Sequence, residues 1–279
     1  MAKKNINEMS FLDHLEDLRW HLIRATLSII AVATVAFVFS RAIFRDIIFA
    51  PIEMSFPTYK LLCKSANFIH VETSFCGDKL PMIIQNRTMA GQFSADIWTS
   101  IYAGFIIAFP YVIYQFWKFI SPGLHENERK YSKGFIIITS LLFLLGVLFG
   151  YYIITPLSLN FLANYNISDL VENQIDISSY IGLVRSSALA SGLVFELPIV
   201  IYFLTKIGLV TPKFLKKYRK YALVIVLIIS AIITPPDIAS QIIVAIPILG
   251  LYQVSIYISA VVVRNQARAE AKLKRKENG

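Results

Sequence analysis

The sequence predicts an all-α integral membrane protein, because its composition and the length of its apolar blocks both fit that fold class. Of 279 residues, 56% are hydrophobic and 16% are charged, and the mean hydropathy is +0.60. Soluble domains carry about 25% charged residues, so this composition argues against an ordinary soluble domain. The blocks are long enough to cross roughly 30 Å of hydrocarbon, whereas outer-membrane barrels show short alternating segments.

Six apolar blocks along the chain are predicted to be transmembrane helices. They lie at residues 22–39, 97–117, 135–155, 183–204, 222–234 and 242–263. Together they predict one membrane domain over residues 1–279, with a basic cytoplasmic tail at 264–279. The fifth block is short, since as a helix it would rise only about 20 Å. Such a span thins the bilayer, uses flanking residues or lies sheltered by protein.

Basic and acidic residues alternate between the loops, and this alternation predicts the orientation. Residues 118–133 hold four basic and two acidic side chains, and residues 205–221 hold six basic and no acidic ones. Residues 156–182 hold three acidic side chains and no Lys or Arg. Because Lys and Arg concentrate in cytoplasmic loops, both termini and the two basic loops are predicted to be cytoplasmic. The loop at 41–92 is an exception, with six basic and four acidic residues, but long loops follow the rule less closely.

The net charge of +9 and the polar N-terminus fit the same interpretation. Basic residues cluster beside apolar blocks, so the charge indicates membrane orientation, and no nucleic-acid partner is expected. The segment MAKKNINEMS lacks the pattern of a cleavable secretory signal, so the first apolar block is expected to be retained.

The segment SFLDHLEDLRWHLIR predicts an amphipathic helix on the cytoplasmic membrane surface before the first span. Its apolar side chains recur at spacings of four, three and four residues, at Phe11, Leu15, Leu18 and Leu22. Ser10 is placed to cap this helix. The opposite face is charged and carries Asp13, Glu16, Asp17 and Arg19. A helix that only held anionic lipid would favour Lys and Arg, so this acidity is unusual.

A second cytoplasmic segment, YQFWKFISPGLHENERK at 114–130, joins aromatic residues to two acidic ones. Glu126 and Glu128 stand in an otherwise basic loop. They are either solvated charges paired with Arg129 and Lys130, or acidic sites that receive a cationic peptide. Carboxylates bind guanidinium groups through charge-assisted, often bidentate hydrogen bonds, and the spacing alone leaves both interpretations open.

Glu196 interrupts the apolar stretch SGLVFELPIV of the fourth span, two residues before Pro198. A charge at mid-bilayer costs about 2.5–3.5 kcal/mol on insertion scales, so Glu196 is expected to face water or a polar partner. Pro198 cannot donate to the carbonyl of Val194 and is expected to bend the span. Arg185 lies about 16 Å away along the helix, which is too far for direct pairing.

The segment TPPDIASQ at 234–241 separates the fifth and sixth spans. A proline disfavours helix at the residue before it, so the fifth helix is expected to end at Thr234. Asp237 is then placed to cap the sixth helix.

Two cysteines, Cys63 and Cys76, lie in the first predicted outer loop. Disulfides persist in oxidising compartments, so the pair is either a bridge that closes a short loop or two unpaired thiols. No Cys/His cluster has the spacing of metal ligands, and neither a metal nor a cofactor is expected.

Taken together, these motifs resemble the TatC family of the twin-arginine protein translocase. They occur in the family's order from end to end of the chain, over the six spans. The resemblance implies a concave, glove-like fold of six helices with both termini cytoplasmic. The matching segments are HLEDLR at 14–19, AP at 50–51, PYVIYQFWKFISPGL at 110–124, ENER at 126–129, FELP at 195–198 and TPPDIASQ at 234–241.

The resemblance implies a receptor and not an enzyme. Family members bind twin-arginine signal peptides of folded cargo proteins on the cytoplasmic side. They recruit TatA- and TatB-type single-span subunits, and export is driven by the proton gradient. Further TatC copies and membrane lipid are expected as neighbours. The expected location is the bacterial inner membrane or an organelle membrane of bacterial descent.

The resemblance also assigns roles to residues of the cytoplasmic side. Asp17 and Arg19 match the acidic and basic positions of the N-terminal motif. The family usually has glutamate where this chain has Asp17, so whether Asp17 or the adjacent Glu16 acts stays open. Phe119 and Glu128 match the first cytoplasmic loop, where the twin arginines are thought to bind, and Glu126 lies beside them.

Further matches lie in or beside the later spans. Glu196 matches the family's intramembrane glutamate, and Thr234 and Gln241 match polar positions that would meet a partner helix. Asp237 matches the acidic residue of the outer turn.

Two other functions compete with this interpretation. A proton-coupled small-solute transporter would use an intramembrane carboxylate such as Glu196. Transporters often contain internal repeats, however, and none is recognisable in this sequence. A purely structural scaffold would leave the aromatic and acidic loop at 114–130 unexplained.

Overall fold

The protein consists mainly of helices, and the computed structural model describes residues 11–68, 74–77, 79–120, 132–168 and 173–277. Short π-helical or 3-10 turns occupy Phe44–Ile48, Ala50–Ile52, Ser74–Cys76 and Gly150–Ile154. The α-helices of the described residues are α1 Phe11–Val38, α2 Ser40–Ile43, α3 Pro57–Phe68, α4 Gly91–Ile120, α5 Ser132–Phe149, α6 Thr155–Asn164, α7 Ile177–Phe195, α8 Leu197–Lys206, α9 Pro212–Lys217, α10 Arg219–Ile233 and α11 Ile238–Glu277.

Five helical segments of the described chain are long and apolar enough to cross a membrane, which confirms the predicted fold class. They are Leu15–Val38, Gly91–Ile120, Gly134–Asn164, Ile177–Lys206 and Ser240–Arg268. Each coincides with a predicted block, and most extend beyond it because polar residues at the edge of a block can continue a helix. The remaining block corresponds to α10, whose 15 residues rise about 22 Å. The count of six spans and their orientation stay predictions.

The N-terminal amphipathic segment is helical as predicted, and it continues into the first span without a break. Both lie in α1, which contains neither proline nor glycine between its ends. Without a helix-breaking residue, nothing in the local sequence separates a surface helix from a span. Ser10, the expected N-cap, lies outside the described residues.

The connection between α10 and α11 follows from its two prolines. α10 ends at Ile233, and Thr234 is extended, with φ −101° and ψ 155°. This is the conformation that a following proline favours. α11 then runs from Ile238 to Glu277, so the basic tail is helical through Glu277.

The chain divides into two compact units, each formed by three segments. In the first unit α1 packs along α4 around the buried residues Ala25, Ala108 and Val112. A Cβ added to Gly104 of α4 would lie 2.8 Å from the Cβ of Ala33, so the glycine permits this close approach. The first unit spans residues 1–53, 82–144 and 172–185, and the second spans 54–81, 145–171 and 186–279.

A short parallel pair of strands, β1 Ile83–Gln85 and β2 Gln174–Asp176, belongs to the first unit and is not indicated by the sequence pattern. The side chain of Asp176, the last residue of β2, forms two hydrogen bonds in addition to the strand pairing. Its Oδ1 accepts from the backbone N–H of Arg87 at 3.2 Å, and its Oδ2 accepts from the N–H of Ser178 at 3.0 Å. Asp176 therefore joins the strand pair to the first turn of α7.

Helices of the second unit approach through small residues. Gly146 of α5 and Gly150 of the following turn lie four residues apart and contact α7. A Cβ at Gly146 would lie 2.7 Å from the carbonyl oxygen of Ser191. A Cβ at Gly150 would clash with the carbonyl oxygen of Ser187. Small residues at this spacing allow backbones to pack closely in a membrane. A buried apolar cluster in the same unit contains Ile154, Val226, Val244, Ala245 and Ile248.

The two cysteines form a disulfide, which decides between the alternatives left by the sequence. The bridge joins Cys63 of α3 to Cys76, with the Cα atoms 5.1 Å apart. Tyr59 of α3 is buried, and its hydroxyl donates to the carbonyl oxygen of Pro156 at 3.2 Å. The helix α3, which carries Cys63, is therefore packed against the first turn of α6.

Candidate functional site

The charged residues of the predicted N-terminal motif lie on the surface of α1. Glu16, Asp17 and Arg19 are all exposed. Within the part of the chain that the structure describes, the side chains of these three residues form no hydrogen bond or ion pair. These charges are therefore available to a ligand that approaches from water.

A small cleft of about 10 Å³, room for a single water molecule, lies beside these charges where α1 meets the last turns of α4. Leu18 and Leu22 of α1 line it together with Phe119 of α4. The stripe of leucines predicted from spacing thus continues into the cleft. Phe119, a predicted site residue, is half-buried at the end of α4 and lies in the same unit as Asp17.

Two polar residues of this cleft were not predicted. His21 Nδ1 lies 2.8 Å from Gln115 Oε1, and the His21 and Phe119 ring centroids are 6.5 Å apart. Gln115 is only 4% exposed although its neighbours in the sequence are aromatic. An amide inside an apolar helix needs a polar partner, and that rule could have singled out Gln115.

Two predicted site residues, Glu126 and Glu128, lie outside the described residues. The structure therefore places Asp17, Glu16, Arg19 and Phe119 in one unit and leaves the two loop glutamates untested.

Glu196 lies at the junction of α7 and α8. α7 ends at Phe195 and α8 begins at Leu197, so the helical span is interrupted at the residue predicted to lie near a bend. The backbone oxygen of Glu196 accepts from Ile199 and Val200 at 2.9 Å and 3.0 Å. Pro198, which has no N–H, sits in the first turn of α8, where a proline is tolerated.

The Glu196 side chain is buried without a hydrogen-bond partner in the described chain. The residue is 8% exposed, and its Oε1 is buried and unpaired among the described residues. The ring of the preceding residue, Phe195, packs against Phe149 with centroids 5.4 Å apart. A buried polar atom without a partner is costly, so this carboxyl is suited to receive a proton, water or a polar group.

Thr234 and Gln241 contact the backbone of α10. Thr234 Oγ1 donates to Ser230 O at 2.8 Å, and Gln241 Nε2 donates to Leu227 O at 3.0 Å. Thr234 is 5% exposed, whereas Gln241 is half-buried. Both side chains thus form hydrogen bonds to backbone carbonyls in the C-terminal half of α10, and Gln241 is the more accessible of the two.

Asp237 caps α11 as predicted. Its Oδ2 accepts from the backbone N–H of Ser240 at 2.8 Å. It also lines a cavity of about 290 Å³ together with Asn160, Asn164 and Tyr165. As the N-cap of α11, Asp237 therefore has a structural role that is sufficient to explain its presence.

Arg185 is a second ionisable residue within the span that carries Glu196. Its guanidinium carbon lies 5.2 Å from the centroid of the Tyr102 ring, and its Nε and Nη1 have no hydrogen-bond partner among the described residues. An aromatic face attracts a cation, so Tyr102 offsets part of the cost of burying this charge.

Comparison with known proteins identifies relatives over nearly the whole chain. The family model described as Sec-independent protein translocase protein (TatC) matches residues 13–247. A protein of this name from Blattabacterium sp. subsp. Periplaneta americana is 46% identical over 258 residues, covering 92% of this chain and 97% of that protein. Another from Aquifex aeolicus is 34% identical over 259 residues, covering 92% and 98%.

Two solved structures have a similar fold. A crystal structure of the twin-arginine translocase receptor TatC in DDM gives a TM-score of 0.68 at 35% identity, covering 88% of this chain and 99% of that one. A second crystal structure of the twin-arginine translocase receptor TatC gives 0.65 at 32% identity, covering 90% and 99%.

Proposed function

Because the chain belongs to the TatC family of Sec-independent protein translocase proteins, we propose that it is the receptor subunit for twin-arginine signal peptides. It is a multi-pass membrane protein and a component of a protein translocase. The solved relatives carry the description of a twin-arginine translocase receptor. In this proposal the chain resides in a bacterial inner membrane and exports folded cargo, driven by the proton gradient.

The observation that carries the proposal is the exposed acidic surface of α1 beside an apolar cleft. Glu16 and Asp17 are exposed, and the neighbouring Leu18 lines the cleft with Phe119. A signal peptide combines two guanidinium groups with an apolar segment. The carboxylates suit the guanidinium groups, which form charge-assisted and often bidentate hydrogen bonds. The apolar side chains around the small cleft, Leu18, Leu22 and Phe119, offer a surface for the apolar segment. Glu126 and Glu128 would add two carboxylates.

We assign the partner contacts to the second unit. Glu196 supplies a buried unpaired carboxyl, and Gln241 offers a half-buried amide at α10. Single-span TatA- and TatB-type subunits are the proposed partners of this polar region. A polar side chain of a partner helix would satisfy Glu196 where the described chain does not.

Photo-crosslinking tests the receptor assignment. A twin-arginine peptide is incubated with the full chain carrying a photoreactive residue in place of Phe119, and separately in place of Ile207 of the second unit. Crosslinks are expected at position 119 and not at 207. The double variant Asp17→Asn and Glu128→Gln should weaken peptide binding by roughly 25-fold, if each carboxylate contributes about fivefold.

Asp46→Asn is the matched control, because it removes an exposed carboxylate from the predicted outer side of the same unit. It should leave binding unchanged. Unaltered binding in the double variant would contradict the assignment. Uptake of solute or protons by the chain reconstituted alone would instead support a transporter that uses Glu196.

A further inference from the structure

A groove on the surface of the first unit contains none of the predicted site residues. Arg24, Leu27 and Ser28 of α1 and Tyr111 of α4 line it, and its volume is about 390 Å³. Leu27 and Ser28 lie three and four positions after Arg24, so both are neighbours of Arg24 on one face of the helix. We call it the Arg24 groove.

Arg24 lies at the end of a long uncharged stretch. No charged residue occurs from Ala25 to Val38, a length that rises about 21 Å as a helix. Since the hydrocarbon core is roughly 30 Å thick, Arg24 belongs at its edge, where a long cationic side chain reaches the headgroups. The side chain is exposed, and no described residue forms a hydrogen bond or ion pair with it.

The polar groups of the groove present complementary hydrogen-bonding functions. Arg24 offers only donors, in the planar fork that fits a phosphate group. Ser28 Oγ donates to Ala25 O at 2.7 Å, so its oxygen is left to accept. The Tyr111 hydroxyl can donate or accept, and Leu27, 59% exposed, adds an apolar flank.

We propose that the Arg24 groove binds an anionic phospholipid whose headgroup combines a phosphate with glycerol hydroxyls. The phosphate contacts Arg24, a headgroup hydroxyl donates to Ser28, and an acyl chain lies along Leu27. Such a lipid would hold the packed pair of α1 and α4 at a fixed depth in the membrane. The site is independent of the receptor function and depends only on the predicted placement of this end of α1 at the inner leaflet.

The charges of α1 favour a lipid over an acidic polypeptide. Asp17 lies seven residues before Arg24, two turns away on nearly the same face, and it is exposed. Glu16 is exposed beside it. An acidic chain arriving from the cytoplasm would pass both carboxylates, and like charges repel. A lipid enters sideways from the bilayer and avoids them.

Native mass spectrometry of the full chain, released from detergent and supplied with phosphatidylglycerol, tests the proposal. Arg24→Gln should bind phosphatidylglycerol about tenfold more weakly, the loss expected for a charge-assisted hydrogen bond. Arg24→Lys should retain most of the binding. Lys216→Gln is the matched control, since it removes an exposed basic residue on the same predicted side but in the second unit. Circular dichroism checks that each variant is folded.

Four comparisons decide the outcome: phosphatidylcholine, free glycerol phosphate and an acidic peptide against phosphatidylglycerol, and Arg24→Gln against the unaltered chain. Phosphatidylcholine and free glycerol phosphate should both bind far more weakly than phosphatidylglycerol, because one lacks net charge and the other lacks acyl chains. Equal retention of phosphatidylglycerol by Arg24→Gln and by the unaltered chain would overturn the proposal. Equal binding of free glycerol phosphate, or stronger binding of an acidic peptide, would overturn it as well.

Discussion

The two candidate sites of this protein are built in opposite ways. In the first unit the charges of the proposed peptide site, Glu16, Asp17 and Arg19, are exposed and have no partner in the described chain. In the second unit Glu196 and Thr234 are 8% and 5% exposed and belong to closely packed helices. A surface charge can be removed without disturbing packing, whereas a buried polar residue serves both packing and function. The two sites should therefore respond differently to substitution.

The largest effect of a substitution on stability is expected in the second unit, where the backbone at Gly150 packs directly against α7. Gly150→Leu would place a side chain against the carbonyl of Ser187, and overpacking of this kind costs about 1–3 kcal/mol or more. The variant should yield little folded protein and unfold at a lower temperature in detergent. Gly250→Leu is the control, since nothing lies within 4 Å of a Cβ there. Equal stability of the two variants would mean that the helices do not approach as described.

The next effect separates function from packing at Glu196. Glu196→Ala should strongly reduce export, because it removes the unpaired carboxyl proposed to meet a partner helix. Peptide binding by the first unit should change less than twofold, since the described residues of the proposed peptide site belong to the first unit and Glu196 belongs to the second. Transport assays in membrane vesicles and peptide-binding titrations measure the two quantities. Loss of both together would show that Glu196 serves the fold.

A moderate effect is expected at the receptor surface. Asp17→Asn should weaken binding of a twin-arginine peptide by about fivefold, the value of an exposed ion pair of roughly 1 kcal/mol. The midpoint of thermal unfolding should stay the same, because Asp17 has no partner in the described chain. Glu16→Gln, measured alongside, identifies which of the two carboxylates acts. A fall in thermal stability without loss of binding would contradict the assignment.

The smallest effect concerns pH. Hydrogen bonds from the backbone N–H of Arg87 and, secondarily, of Ser178 hold the pKa of the Asp176 carboxyl below its ordinary value. The unfolded chain therefore takes up this proton at a higher pH than the folded chain does. The stability from these bonds is present above the ordinary pKa of about 4 and is lost as pH falls through the lower folded value.

Asp176→Asn should thus flatten the dependence of thermal stability on pH below about pH 4. Unfolding temperatures of both proteins, measured across this range, provide the comparison. Parallel curves would show that the bonds to Arg87 and Ser178 contribute nothing to stability in solution.

Features that rest on local chemistry were predictable from the sequence. The prolines after Thr234 end α10, Asp237 caps α11, and the span is interrupted at Glu196, because each depends on residues within one turn. Long apolar blocks likewise located the five helical segments that are long and apolar enough to cross a membrane, and the sixth predicted block corresponds to the shorter α10. Helix ends were less predictable, since polar residues extend α4 and α11 beyond their apolar blocks.

Features that depend on distant contacts were not predictable. The strand pair joins residues about ninety positions apart, and its three-residue strands carry no periodic signal. His21 and Gln115 meet across two helices; the sequence indicates that the amide of Gln115 needs a polar partner, but not that the partner is His21. The sequence left the disulfide open for the same reason, because spacing along the chain does not fix the distance between two Cα atoms.

The central claim, that this chain is a receptor for paired arginines, is tested most directly by peptide displacement. A labelled twin-arginine peptide is bound to the full chain, and unlabelled twin-arginine and twin-lysine peptides compete for it. Guanidinium groups form bidentate bonds to carboxylates that ammonium groups cannot, so the twin-lysine peptide should displace the label far less effectively. Equal displacement by both peptides would show that the chain responds only to positive charge, and would contradict the proposed function.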